Sequence, residues 1–111
     1  MKVLVIGGSG FLGSHISDEL SLRNHEVVIF DRHPSSWIKE NQKMIVGEIS
    51  FGGLLEEEIS KTDIVFHMAG IADIEESNTN ALETIQENII NSSIVMQLCS
   101  QHSVRFMYGS T

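Results

Sequence analysis

A chain of 111 residues, 41% of them hydrophobic, can bury one core, and no second domain is expected. A formal net charge of −8 with only 7 Lys plus Arg lacks the basic footprint that a phosphate backbone requires, so nucleic acid is not an expected partner. Cys99 is the only cysteine, which excludes an intrachain disulfide, and no apolar run is long enough for a signal segment or a membrane span; a cytoplasmic chain with no membrane contact is expected.

In chain order, Lys2 to Ile6 (KVLVI) reads as a buried strand, followed by the glycine-rich IGGSGFLGSH turn and a helix on which Leu12, Ile16 and Leu20 recur at i+4. Asn24 and His25 end that helix. Glu26 to Asp31 is the second strand, RHPSSWIKENQ a polar loop with the only proline, and KMIVG a short third strand. Leu54, Leu55 and Ile59 suggest a short helix, with Glu56 to Glu58 on its solvated face, and Asp63 to Met68 is the fourth strand.

A long helix is expected from Asn80, whose side chain can cap the first turn while Glu83 reaches back as in a capping box. Leu82, Ile85, Ile89, Met96 and Cys99 fall on one stripe, suited to covering a sheet. Ile90, Ile94 and Leu98 fall on a second stripe that needs another partner. Cys99 in this apolar pattern reads as a small hydrophobe rather than a reactive thiol. Val104 to Tyr108 is the fifth strand. Near-continuous apolar strands alternating with helices imply an α/β fold: a doubly wound, Rossmann-type parallel sheet of five strands in the order 3-2-1-4-5, with helices on both faces.

Two registers fit the turn, GxGxxG on Gly8, Gly10 and Gly13 and GxxGxxG on Gly7, Gly10 and Gly13. In either, the first glycine supplies the tight turn, Gly10 lets a pyrophosphate approach the backbone, and Gly13 lets the helix pack close to the strand. The N–H groups and positive dipole end at the helix start then face the anion. Asp31 lies about 20 residues on, where a dinucleotide fingerprint places an acid that accepts from both adenosine-ribose hydroxyls. Its charge opposes a 2′-phosphate and favours NAD over NADP, although the adjacent Arg32 could offset part of that repulsion.

Together IGGSGFLGSH, FDR, VGEI, DIVFHMAG, NALETIQENIINS and VRFMYGST resemble the N-terminal half of extended short-chain dehydrogenase/reductases, the NAD-dependent sugar-nucleotide epimerase/dehydratase family. The resemblance runs from Met1 to Thr111. It implies that the backbone amides of Phe11 and Leu12 hold the pyrophosphate, that Asp31 binds ribose, and that Glu48 and Ile49 stand beside the adenine, with Glu48 departing from the family's Asp. Met68, Ala69 and Gly70 match the stretch under the nicotinamide-side ribose, where Ala72 replaces a Lys of some epimerases. Asn88 matches an asparagine that projects from the long helix toward the cofactor. His67 stands where the family often has His and is assigned a structural role; without ligand partners it is no metal site.

Enzymes of this kind oxidise a sugar hydroxyl with a YxxxK tyrosine as base and a Ser or Thr steadying the reacting oxygen, and Thr111 matches that hydroxyl residue. No YxxxK occurs in the chain, and Tyr108, its only tyrosine, lies in a strand. The expectation is an NAD-binding half, residues 1–111, inactive alone, of a nucleotide-sugar epimerase or dehydratase, dimerising through the 80–101 helix by its second stripe. Two alternatives stay open: a non-catalytic NAD-binding module, and an NmrA-like protein that would favour NADP.

Overall fold

A computed structural model describes residues 1–36, 38–68 and 81–109. Five parallel strands, β1 (Lys2–Ile6), β2 (Glu26–Asp31), β3 (Gln42–Val46), β4 (Ile64–His67) and β5 (Arg105–Tyr108), form one sheet in the order β3-β2-β1-β4-β5. Among the described residues three helices accompany them: α1 (Phe11–Leu22), α2 (Leu54–Ile59) and α3 (Ala81–Gln101). The strand order and the doubly wound architecture are those expected from the sequence, and the element limits agree within one or two residues. Asn80, the side chain of Glu83, Ala69, Gly70, Ala72 and Thr111 lie outside the described residues.

Alternation along the strands divides the core between the two faces of the sheet. Leu4, Ile6, Val28, Phe30 and Val65 face α2 and α3, where they pack with Leu55, Ile59, Val95, Leu98 and Cys99. Val3, Val5, Val27, Ile29 and Ile64 face the other way, with Ile16 and Leu20 of α1 against them. Each such side chain, taken fully out of water, contributes about 1.5–3 kcal/mol. The central strands β1, β2 and β4 are therefore buried on both sides, as their unbroken apolar runs require, while the edge strands β3 and β5 stay largely half-buried or exposed.

Both amphipathic helices differ from expectation in the face they present. The fully buried positions of α1 are Gly13, Ser17 and Ser21, while Leu12 is 42% exposed and Ile16 and Leu20 are only partly covered. Small residues let the helix axis come close to β1. The serines cost little there because each hydroxyl donates to the carbonyl four residues back, Ser17 to Gly13 and Ser21 to Ser17, both at 2.8 Å. On α3 the buried residues are Val95, Leu98 and Cys99, with Ile94 half-buried on the same core. Leu98 and Ile94 therefore belong to the sheet-facing side, and the face left in water holds Leu82, Ile85, Ile89 and Met96, with Ile90 exposed apart from them. The stripes expected from the sequence are thus divided differently: periodicity identifies two apolar arcs, and the direction from which the sheet approaches chooses the one it covers. Burial pushes the Cys99 thiol up to about 11, consistent with its reading as a packing residue.

Beyond α3, His102 Nε2 and Glu56 Oε2 lie 3.1 Å apart, joining the end of α3 to α2. That hydrogen bond, followed by the Gly52 N–H, holds the Glu56 carboxyl below its ordinary value.

Candidate functional site

The turn after β1 begins at Gly7, whose φ of +81° lies in the left-handed region that disfavours any side chain. This makes Gly7 the turn residue of the motif, in the register Gly7, Gly10, Gly13. The Gly7 N–H donates to the Phe30 carbonyl at 2.7 Å, and Gly10 N–H donates to the Gly7 carbonyl at 3.3 Å. Gly8 is excluded from bearing a side chain for another reason, since a Cβ there would stand 2.5 Å from Ile29 Cγ2.

Helix α1 starts with Gly10 as an extended N-cap that offers no side-chain bond, and no acid lies in its first turn. The Ser14 N–H donates back to the Gly10 carbonyl at 2.9 Å, so the N–H groups of Phe11, Leu12 and Gly13 precede the first turn's closure. They carry the positive end of the helix dipole toward the space above the turn. The two later glycines then differ. A Cβ on Gly13 would collide with the Gly7 carbonyl and the Gly8 Cα, whereas a Cβ on Gly10 would meet nothing nearer than the Gly7 oxygen at 3.6 Å. The fold itself forbids a side chain at 13. At 10 it leaves a cradle that a methyl group would begin to fill.

Asp31, at the end of β2, is partly buried beside this turn. Its Oδ2 accepts the Ser9 N–H at 3.1 Å, and its Oδ1 accepts the His33 N–H at 3.2 Å. Ser9 Oγ in turn donates to the His33 carbonyl at 2.7 Å, closing a ring of polar contacts between the glycine turn and the β2 exit. Neither Ser9 nor His33 stood out in the sequence, because the bonds to Asp31 come from their backbone N–H groups, which no residue type marks. Arg32 Nη2 lies 3.4 Å from Glu48 Oε2, so two residues expected at the site are brought together beyond Asp31. Ile49, next to Glu48, is half-buried against the core.

At the C-terminal end of β4, the Met68 N–H donates to the Ile6 carbonyl at 2.7 Å, and the Met68 side chain is buried on the α1 face with Val3 and Val5. A Cβ on Gly109 would meet the Met68 thioether. On the opposite face His67 is fully buried between α3 and β5; its Nε2 lies 3.1 Å from Ser92 Oγ, and its ring centroid lies 5.6 Å from that of Tyr108. Burial holds the imidazole down to about 4, so at neutral pH it is uncharged and structural, as expected. Asn88, one turn before Ser92 on α3, is half-buried in a cleft of about 580 Å³ that it shares with Ile85, Ile89, Met96, Phe106 and Tyr108. Among the described residues, no group of three or more His, Cys, Asp or Glu could hold a metal, and no helix is long and apolar enough to cross a membrane.

A parallel sheet in this order, with a glycine turn opening onto a helix start and an acid closing the neighbouring strand, defines a Rossmann-type dinucleotide-binding domain. The chain belongs to the NAD dependent epimerase/dehydratase family, whose model matches residues 3–111. It is 26% identical to dTDP-D-glucose 4,6-dehydratase of Dictyostelium discoideum, an alignment covering 99% of this chain and 29% of that protein. It is 27% identical to UDP-N-acetyl-alpha-D-glucosaminuronate decarboxylase of Bacillus cytotoxicus, covering 99% of this chain and 36% of the relative. Among solved structures it resembles UDP-glucose-4-epimerase from Stenotrophomonas maltophila, with bound NAD and formylated UDP-arabinopyranose, at a TM-score of 0.86 and 25% identity over 100% of this chain and 37% of that one. The chain thus spans about a third of the length of these relatives.

Proposed function

We propose that the chain is the NAD-binding half of a nucleotide-sugar epimerase, dehydratase or decarboxylase. The observation that carries this reading is the pairing of an uncapped, acid-free helix start with a backbone-anchored Asp31 at the carboxyl ends of the strands, where the chain leaves the paired β1 and β4 toward opposite edges of the sheet. The residues fit NAD: space above Gly10 admits a pyrophosphate, the amides of Phe11 and Leu12 are oriented to donate to it, and Asp31 keeps lone pairs for ribose hydroxyls. Glu48 and Ile49 are assigned to the adenine side, and Met68 and Asn88 to the nicotinamide side. Ala69, Gly70 and Thr111, the last as the hydroxyl residue, join them on the family resemblance alone.

Bound NAD supplies the acceptor and donor of hydride for a sugar carbon bearing a hydroxyl. The part of this chain is to bind and orient: amides neutralise the pyrophosphate, Asp31 fixes the adenosine ribose, and Asn88 faces the reacting end. No YxxxK tyrosine is among the 111 residues, so the base belongs to the remainder of a longer enzyme, and this chain alone is expected to bind without turning over. A soluble cytoplasmic setting and a nucleotide-sugar substrate accompany the reading.

Self-association through α3 is part of the same proposal, with the surface corrected. Leu82, Ile85, Ile89 and Met96 form one exposed apolar face of α3, 71, 55, 61 and 55% accessible, and they replace the stripe containing Leu98. Titration calorimetry of NAD against the 111-residue chain tests the central claim. Saturable binding to the wild type that Gly10→Ala abolishes is expected; a folded chain that takes up no NAD overturns it.

A further inference from the structure

We infer that Ser9 is a positioning residue for the adenosine end of the cofactor: its hydroxyl fixes the orientation in which the Asp31 carboxylate meets the ribose. The inference rests on the dinucleotide reading proposed above. It begins with where the two donors to that carboxylate come from. Oδ2 accepts the N–H of Ser9, in the turn after β1, and Oδ1 accepts the N–H of His33, on the exit from β2. The Asp31 backbone is held separately, in the β2–β3 ladder and by the Gly47 N–H, which donates to its carbonyl at 3.0 Å. The carboxylate therefore spans two separate segments of chain, and its orientation depends on how their amides stand relative to each other.

One side-chain bond ties those segments together. Ser9 Oγ donates to the His33 carbonyl at 2.7 Å, the shortest contact of the ring. The hydroxyl has a single hydrogen to give, and Met44 Sδ, 3.9 Å away, is the weaker acceptor. The residue after His33 is Pro34, which has no N–H with which to fasten the exit of β2. With Oγ in place, the Ser9 and His33 amides close on Asp31 from both sides, and its remaining lone pairs keep one direction for the ribose hydroxyls. Without Oγ, the β2 exit is released from the glycine turn, and the carboxylate follows one amide at the expense of the other. NAD binding must then restore the alignment, at a cost to affinity. The bond is exposed to water, so the expected effect is moderate.

The test measures NAD affinity by calorimetry on the whole chain, as wild type and as Ser9→Ala, and repeats both titrations with an NAD analogue that lacks the two adenosine-ribose hydroxyls. Alanine keeps the backbone N–H that Asp31 Oδ2 accepts and removes only the hydroxyl, so the variant isolates the bond to His33. Ser9→Ala is expected to weaken NAD roughly 3- to 10-fold. The analogue offers Asp31 nothing to hold, and its affinity is expected to stay about the same, within roughly twofold, in the two proteins. An NAD affinity in Ser9→Ala that matches or exceeds the wild-type value overturns the inference. So does an equal loss for NAD and the analogue, since the hydroxyl would then serve the pyrophosphate turn and not Asp31. A folded wild type that binds no NAD overturns the dinucleotide reading itself, a different outcome from a chain that binds NAD and is indifferent to Ser9.

Discussion

The Ser9 N–H donates to Asp31 Oδ2 at 3.1 Å across 22 residues of sequence, and this bond locks the glycine turn to the end of β2. The acid proposed for the ribose and the turn proposed for the pyrophosphate are therefore joined in one unit. Hydrogen bonds to a charged group are worth about 1.5–3 kcal/mol, so Asp31→Ala is expected to weaken NAD roughly 10- to 100-fold while sparing NADP. Competitive titration with the two nucleotides checks this, and an unchanged preference removes Asp31 from the site.

The two later glycines of the turn separate folding from binding. Gly13→Ala places a methyl group against the Gly7 carbonyl and the Gly8 Cα, and backbone cannot move aside as a flexible side chain can. A loss of about 1–3 kcal/mol is expected, visible as a fall of several degrees in the thermal midpoint. Gly10→Ala meets only ordinary contacts, and its φ of −76° suits any residue, so its midpoint should stay near the wild type while NAD binding is lost. Equal destabilisation by the two substitutions would contradict the division of roles.

His67 makes stability depend on acid. Its ordinary value of 6.5 applies to the unfolded chain, and burial holds the folded imidazole to about 4. Between these limits the unfolded state carries the extra proton. Its contribution is therefore fully present above about pH 6.5, declines as the pH falls, and levels off below about 4, at up to about 1.4 kcal/mol per pH unit. Urea midpoints measured from pH 4 to 7 should fall more steeply for the wild type than for His67→Gln, which keeps a polar group near Ser92.

The exposed face of α3 predicts a contrast between two substitutions on one helix. Ile89→Lys replaces a residue 61% exposed and should leave stability within about 0.5 kcal/mol while abolishing self-association in sedimentation experiments. Leu98→Ala empties a fully buried position, and a cost of about 2–5 kcal/mol is expected. Association that survives Ile89→Lys would place the interface elsewhere.

The extent to which the sequence foretold the site follows from the range of each interaction. The glycine motif and Asp31 could be read directly because the former is a local backbone requirement and the latter a fixed distance along one strand–helix–strand unit. The Arg32 to Glu48 pairing could not, because it depends on how the exits of two strands lie side by side for residues 16 positions apart in the chain. Ser17 and Ser21 were invisible for a related reason: a serine whose hydroxyl is satisfied by its own helix can be buried, yet in a linear pattern it looks like solvent-facing surface.

By itself, the sequence determined the alternation of strands and helices, the parallel sheet and its order, and the turn that suits a dinucleotide. These follow from apolar runs, crossover handedness and the steric freedom of glycine, all of them local or topological rules. Only the tertiary structure decided which face of α1 and of α3 is covered, which charge Arg32 meets, and that His67 is closed off from water. Those outcomes depend on the angle and closeness at which elements far apart in the chain pack together, and burial is a property of that packing rather than of any single segment.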